Sequence, residues 1–203
     1  MIDIERYNLL KEKYGQCASW AIWEKPIQDK PSSNIKCLSL FNDENICDKL
    51  NSKYVFVGLN KSKTDNDFKS EPWRNFHSTE PHQKDFRLRY VLMGTKFWGS
   101  YITDIIKKCE GDSKKSEETK SEKVMSYLKK HPEVVDENIK IFKEELNTLS
   151  NEKPILIAIG KDAYTILNNN MKEYAIKEIR HYSDRKISNE DYKVEVCEKL
   201  KDI

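Results

Sequence analysis

The sequence predicts one α/β domain built on a mainly parallel sheet, and three observations carry that expectation. Residues 54–57, YVFV, form a β-branched and aromatic run that stops abruptly at Gly58. Residues 154–160, PILIAIG, are a second apolar run of strand length, and again a glycine turns it into a helical stretch, residues 161–169. Strand, glycine, helix written twice implies parallel strands joined by crossover helices, because parallel neighbours need a long connection. The length of 203 residues suits one sizeable core and is short for two.

Taken in order, residues 3–13 place Ile4, Tyr7 and Leu10 at helical spacing, and Gly15 ends the pattern. CASWAIW at 17–23 alternates Trp20 and Ile22, a short strand whose bulk should pack on the main body. Residues 24–52 read as loop, with Pro26, Pro31, Ser32 and Ser33 and one short element at 35–41. A long polar connection, 61–84, carries Trp73, Phe76, His77 and His82; such a loop inside a compact domain tends to be functional. DFRLRYVLM at 85–93 puts Phe86, Tyr90 and Met93 on one helical face, with Gly94 behind it.

SYITDII at 100–106 is a strand interrupted by Thr103 and Asp104, and a carboxylate inside a buried strand needs a partner or a purpose. Residues 107–123, KKCEGDSKKSEETKSEK, lose all periodicity and are expected as a mobile, mixed-charge insert. The clearest helix runs from Pro132 to about residue 149, with Val135, Ile139, Phe142, Leu146 and Leu149 at spacings of three and four. A fourth strand is expected at 174–180, followed by His181, Tyr182 and Ser183, and Ser188 with Asp191 signals a last helix.

Composition narrows the function classes. The chain is 37% hydrophobic and 34% charged yet holds seven Phe, ten Tyr and four Trp, a supply of aromatics that disordered chains lack. A formal charge of +2 excludes whole-molecule attraction to nucleic acid, so any such surface must be local. Cys17, Cys37, Cys47, Cys109 and Cys197 are odd in number, scattered and never paired as C-x-x-C, which suggests neither a disulfide framework nor a metal cluster. No leader-like start and no apolar run of membrane length is present, so a reduced cytoplasmic protein is expected.

In an open parallel sheet, ligands bind beyond the carboxyl ends of the strands. Three of the four expected strands place polar residues there: Asn60 and Ser62, then Asp104, then His181 and Ser183. The helix after Gly160 adds its N-terminal amides. Each residue has a plainer reading. Asn60 also fits a turn after a strand; His181 alone fits a satisfied structural histidine; Asp104 fits a carboxylate paired with a nearby Lys, Arg or backbone amide. His77 and His82 read as loop residues without metal-ligand spacing, and Trp98 and Tyr101 as core.

GLN at 58–60, IGKDAY at 159–164 and HYS at 181–183 resemble the signature loops of the uracil-DNA glycosylase superfamily. NFH at 75–77, RLRY at 87–90 and GT-x-FWGSYITDIIK at 94–107 are similar to a bacterial branch of it, and the likeness runs from about residue 54 to 186. The resemblance implies a three-layer α/β/α fold with a four-stranded, mainly parallel central sheet, a base-flipping pocket, and DNA as partner. It implies a monofunctional glycosylase with no metal and no cofactor. Asn60 would orient the attacking water and His181 would donate to the leaving base; Gly58, Leu59, Phe76 and Asp104 would bind the base, with Trp73 as the other stacking candidate. Ser62, Ser183, Arg185 and Lys186 would hold phosphates.

Lys61 and Tyr182 stand where that family keeps proline. Asp104 falls near an asparagine that reads uracil, and an ionised carboxylate only accepts hydrogen bonds, which favours a base edge carrying donors. Two other classes stay open: a binding module of the same fold without excision, and an enzyme acting on a free nucleotide.

Overall fold

The middle strand of the sheet is β2, Asn51–Asn60, in a computed structural model that describes residues 2–25, 33–35, 38–61, 71–80, 82–107 and 121–203. It runs parallel to β3, Ser100–Ile106, on one side and to β4, Ile155–Ile159, on the other. Beyond β4 lies β5, Ile176–Ile179, also parallel. The glycine-to-helix turn after β4 is as the sequence predicts: α5, Lys161–Asn170, starts at Gly160 and returns the chain for β5.

The expected four-stranded sheet has five strands. β1, Ala18–Trp20, closes the β3 edge antiparallel, with Ser19 opposite Ile102, and the order is β1-β3-β2-β4-β5. Three residues are too few for period-two patterning to announce, but β1 covers an edge of β3 that would otherwise leave its backbone groups open.

Helices cover both faces, which is why β4 and residues 54–59 of β2 carry no polar side chain rather than alternating. Val55 and Val57 of β2 face a cluster with Leu10 of α1 (Ile4–Tyr14), Phe142 and Leu146 of α4 (Pro132–Leu149), and Leu167 of α5. Tyr54 and Phe56 face the other side, against Leu88 and Leu92 of α2 (Phe86–Leu92) and Tyr192 and Val196 of α6 (Asn189–Leu200). Ser188 caps α6 as expected, its hydroxyl accepting the Asp191 amide.

Two expectations change. The insert placed at 107–123 is narrower: Lys107, directly after β3, has a side chain only 6% exposed, and α3, Ser121–Lys130, already begins at 121, seating Val124 and Leu128 in the core; residues 108–120 lie outside the described residues. In α2, Phe86 is buried as expected, but Tyr90 and Met93 are half-buried whereas Arg87 and Arg89 are buried. Their guanidinium groups are sheltered because they donate to main-chain carbonyls. Among the described residues, no helix is long and apolar enough to cross a membrane.

Candidate functional site

A cavity of about 470 Å³ opens at the carboxyl edge of the sheet. Its wall takes Gly58, Leu59 and Asn60 from β2, Asp104 from β3, the first residues of α5, and His181 and Ser183 from the loop after β5. Phe76 comes from the loop before α2. Seven residues proposed from sequence are thus brought together from positions far apart in the chain. Ser62 lies outside the described residues, and Arg185 and Lys186 are exposed on the loop beyond the cavity wall.

Parallel register sets Gly58 beside Asp104. A Cβ at position 58 would lie 2.3 Å from Asp104 Oδ1 and 3.5 Å from the tip of the Phe76 ring, so only glycine lets both side chains approach the strand. Asp104 is 3% exposed. Its Oδ2 accepts from Asn75 Nδ2 at 2.9 Å, and the same amide nitrogen donates to the Cys17 carbonyl at 2.9 Å. Burial pushes the Asp104 carboxyl up to about 6, held back in part by Asn75 and by the Lys107 and Lys61 charges.

Behind Asp104 lies a buried polar network that supports it. Lys107 Nζ pairs with Glu145 Oε2 at 2.7 Å and also donates to the Asp104 main-chain oxygen. Tyr101 Oη and Thr103 Oγ1 donate to Glu145 Oε1 at 2.9 and 3.0 Å. Tyr101 is core, as expected, but with its hydroxyl held. Lys107 serves Glu145 rather than the Asp104 carboxylate, so the plain ion-pair reading of Asp104 does not hold. Glu145 had a visible signal in the sequence: it stands three residues after Phe142 and one before Leu146, on the buried side of α4.

The loop 71–80 is anchored by its aromatics. Trp73, 1% exposed, packs against Trp20 and Tyr7 with ring centroids at 6.0 and 5.6 Å, and its indole donates to Tyr7 Oη at 3.0 Å. It belongs to the core and not to the cavity, which removes it as a stacking residue. Phe76 does reach the cavity, from a backbone φ of 66° that is uncommon for a bulky residue and marks a constrained loop. Trp23 Nε1 donates to the Phe76 carbonyl at 3.1 Å and fixes it there. His77 is in the loop yet buried between Trp23 and Phe41, and burial pushes it down to about 3, a neutral structural histidine. His82 is exposed at the cavity wall.

At the other end, His181 Nδ1 accepts the Ser183 N–H at 3.1 Å and lies 2.8 Å from Ser183 Oγ. A backbone N–H can only donate, so in the neutral ring the proton sits on Nε2. Burial pushes His181 down to about 4, offset in part by the Asp162 and Asp184 carboxylates. Gly160, at φ 91°, lets the ring in: a Cβ there would stand 3.2 Å from that of His181. Tyr182, in place of the family's proline, sets its ring 4.4 Å from His181 and 6.4 Å from Phe76.

Nothing in the RLRY stretch at 87–90 signals the role of Arg87. Arg87, 2% exposed, donates to the carbonyls of Tyr182 at 3.1 Å, Asp184 at 2.7 Å and Ile187 at 2.8 Å, and to Asn189 Oδ1 at 2.7 Å. A single planar donor group thereby shapes the loop that carries His181. Lys61 turns inward, donating to the Gln16 carbonyl at 2.7 Å, and Asn60 Nδ2 donates to the Lys61 carbonyl at 3.2 Å. Among the described residues, no cluster of His, Cys, Asp and Glu is arranged to hold a metal ion.

Comparison of the chain with protein-family models, with curated proteins and with solved structures returns no match.

Proposed function

We propose that the cavity receives a single base flipped out of DNA and that the chain hydrolyses its N-glycosidic bond. The observation that carries this reading is the His181 tautomer, because Nδ1 is held as an acceptor by Ser183 and the neutral ring offers Nε2–H at the cavity. The volume of about 470 Å³ suits one heteroaromatic ring system with part of its sugar. In the step, the bond from sugar C1′ to the base nitrogen breaks and its electron pair leaves with the base. His181 Nε2–H stabilises the charge on the departing ring. The oxygen of a water held by Asn60 bonds to C1′, and a water proton passes to solvent. An amide orients water but is a weak base, so leaving-group stabilisation carries most of the rate. Phe76 would stack on the base, and Ser183 with Arg185 and Lys186 would hold flanking phosphates.

The test is excision from oligonucleotides carrying a panel of modified bases. Asn60→Ala and His181→Ala should each lower the rate by about 10²–10³. A second reading, a nucleic-acid or nucleotide-binding module of the same fold without excision, is favoured by the tie of Asn60 Nδ2 to the Lys61 carbonyl. It would show as binding that falls steeply with salt and yields no product from any base.

A further inference from the structure

We infer that the cavity selects a base that keeps an exocyclic amine and refuses the carbonyl-flanked edge of uracil or thymine; this rests on the reading of the cavity as a base site. The argument begins at Asn75, which lines the cavity beside Asp104. Its Nδ2 meets two acceptors, the Cys17 carbonyl and Asp104 Oδ2, each at 2.9 Å. Both amide hydrogens are therefore used, the orientation of the amide is fixed, and all that Asn75 has left to offer a ligand is the acceptor Oδ1. Asp104 stands in the same position: Oδ2 is taken, and Oδ1 lies over Gly58, where a Cβ would come within 2.3 Å of it. Among the described residues no donor reaches either Oδ1.

The β3 end of the cavity thus presents two adjacent acceptors, one of them on a carboxyl that is 3% exposed. Acceptors that a bound ligand cuts off from water require donors, and a ligand that brought carbonyl oxygens here would leave them unmet. The two hydrogens of one exocyclic amine, or a ring N–H beside an amine, meet both acceptors. Cytosine, adenine and guanine carry such groups. Uracil and thymine present one N–H between two carbonyls, and one carbonyl would face the carboxylate.

The opposite end has the complementary character. In the sheet order, β5 is three positions from β3, about 14 Å at the usual spacing between strands. There His181 offers Nε2–H, and the amides of Lys161, Asp162 and Ala163 precede the first intrahelical bond of α5, from Tyr164 N to Gly160 O. A ring with an amine on one edge and a carbonyl or bare ring nitrogen on another matches both ends. Under the hydrolase reading, the target is a damaged or modified base that has kept its amine, and not a deaminated one.

The carboxyl is ionised at neutral pH and takes a proton near pH 6. The charged and titratable groups around it are Lys61 after β2, Lys107 after β3, Glu145 of α4, Cys17 before β1, and Tyr182 after β5. The test compares binding of cytidine and uridine to the intact chain by NMR titration. Cytidine should bind about tenfold tighter or more, and Asp104→Asn, which turns a donor to the cavity, should narrow or reverse that preference. In the wild-type chain, with no variant needed, the preference should shrink as the pH falls below about 6. Binding of both nucleosides with equal affinity, or a preference untouched by Asp104→Asn and by pH, would overturn the inference while leaving the base site standing. Binding of neither would overturn both.

Discussion

Replacing Asp104 with asparagine should stabilise the fold while damaging the site, and the size of the gain follows from the burial of its carboxyl. Burial raises Asp104 from 3.8 to about 6, so the folded chain holds that proton more tightly than the unfolded chain does. The stabilisation is full below the unfolded value of 3.8 and is lost as the pH rises through about 6. At about 1.4 kcal/mol per pH unit, ionised Asp104 costs the fold about 3 kcal/mol at neutral pH. The amide of the Asp104→Asn variant would keep the bond from Asn75 Nδ2 through its carbonyl oxygen and carry no charge. Urea unfolding followed by fluorescence of the four tryptophans, two of them fully buried, gives the stability at each pH. The variant's advantage should be near zero at about pH 4 and grow to about 3 kcal/mol at neutral pH. Asp85, which burial pushes up to about 7, adds its own slope to both proteins and cancels in the difference. An advantage that does not change with pH, or a variant less stable than wild type at neutral pH, would refute the reasoning.

Two further outcomes concern the His181 loop. Arg87→Met leaves the carbonyls of Tyr182, Asp184 and Ile187 without their donor; we expect a loss of about 2–4 kcal/mol and faster amide exchange across residues 182–188, with Arg87→Lys intermediate because an ammonium cannot span the same partners. Unchanged exchange in that loop would show that Arg87 does not shape it. Histidine nitrogen NMR should find His181 protonated on Nε2 and titrating near 4, and a midpoint near the ordinary 6.5 or a proton on Nδ1 would contradict the donor role.

What the sequence made legible, and what it hid, divides by range. Gly160 announced a strand end because a glycine after an apolar run is a local signal; Gly58 does not end its strand, since β2 runs on to Asn60 and no helix begins there, but both glycines line the cavity. The stripe of α4 was legible for the same reason. The elements and contacts that escaped depend on distant partners. β1 is three residues of edge strand. Lys107 looked like the start of a charged insert until Glu145, from another helix, gave it a buried partner. Arg87 acts on carbonyls about a hundred residues further on, and nothing in RLRY specifies that. Trp73 and Phe76, three residues apart in one loop, looked equivalent; the first fills the core between Trp20 and Tyr7 while the second faces the cavity. The orientation of Asn75 is set by Cys17 and Asp104, neither of which lies near it in sequence.

The central claim is that this edge of the sheet takes a flipped base and cleaves it from its sugar. The most direct measurement is release of free base from single-stranded oligonucleotides, each carrying one modified base, half of the set retaining the exocyclic amine and half having lost it. Release confined to the amine-bearing half and abolished by His181→Ala is the expected result. Release from the deaminated half alone would contradict the specificity, and binding without release from any substrate would contradict the hydrolysis.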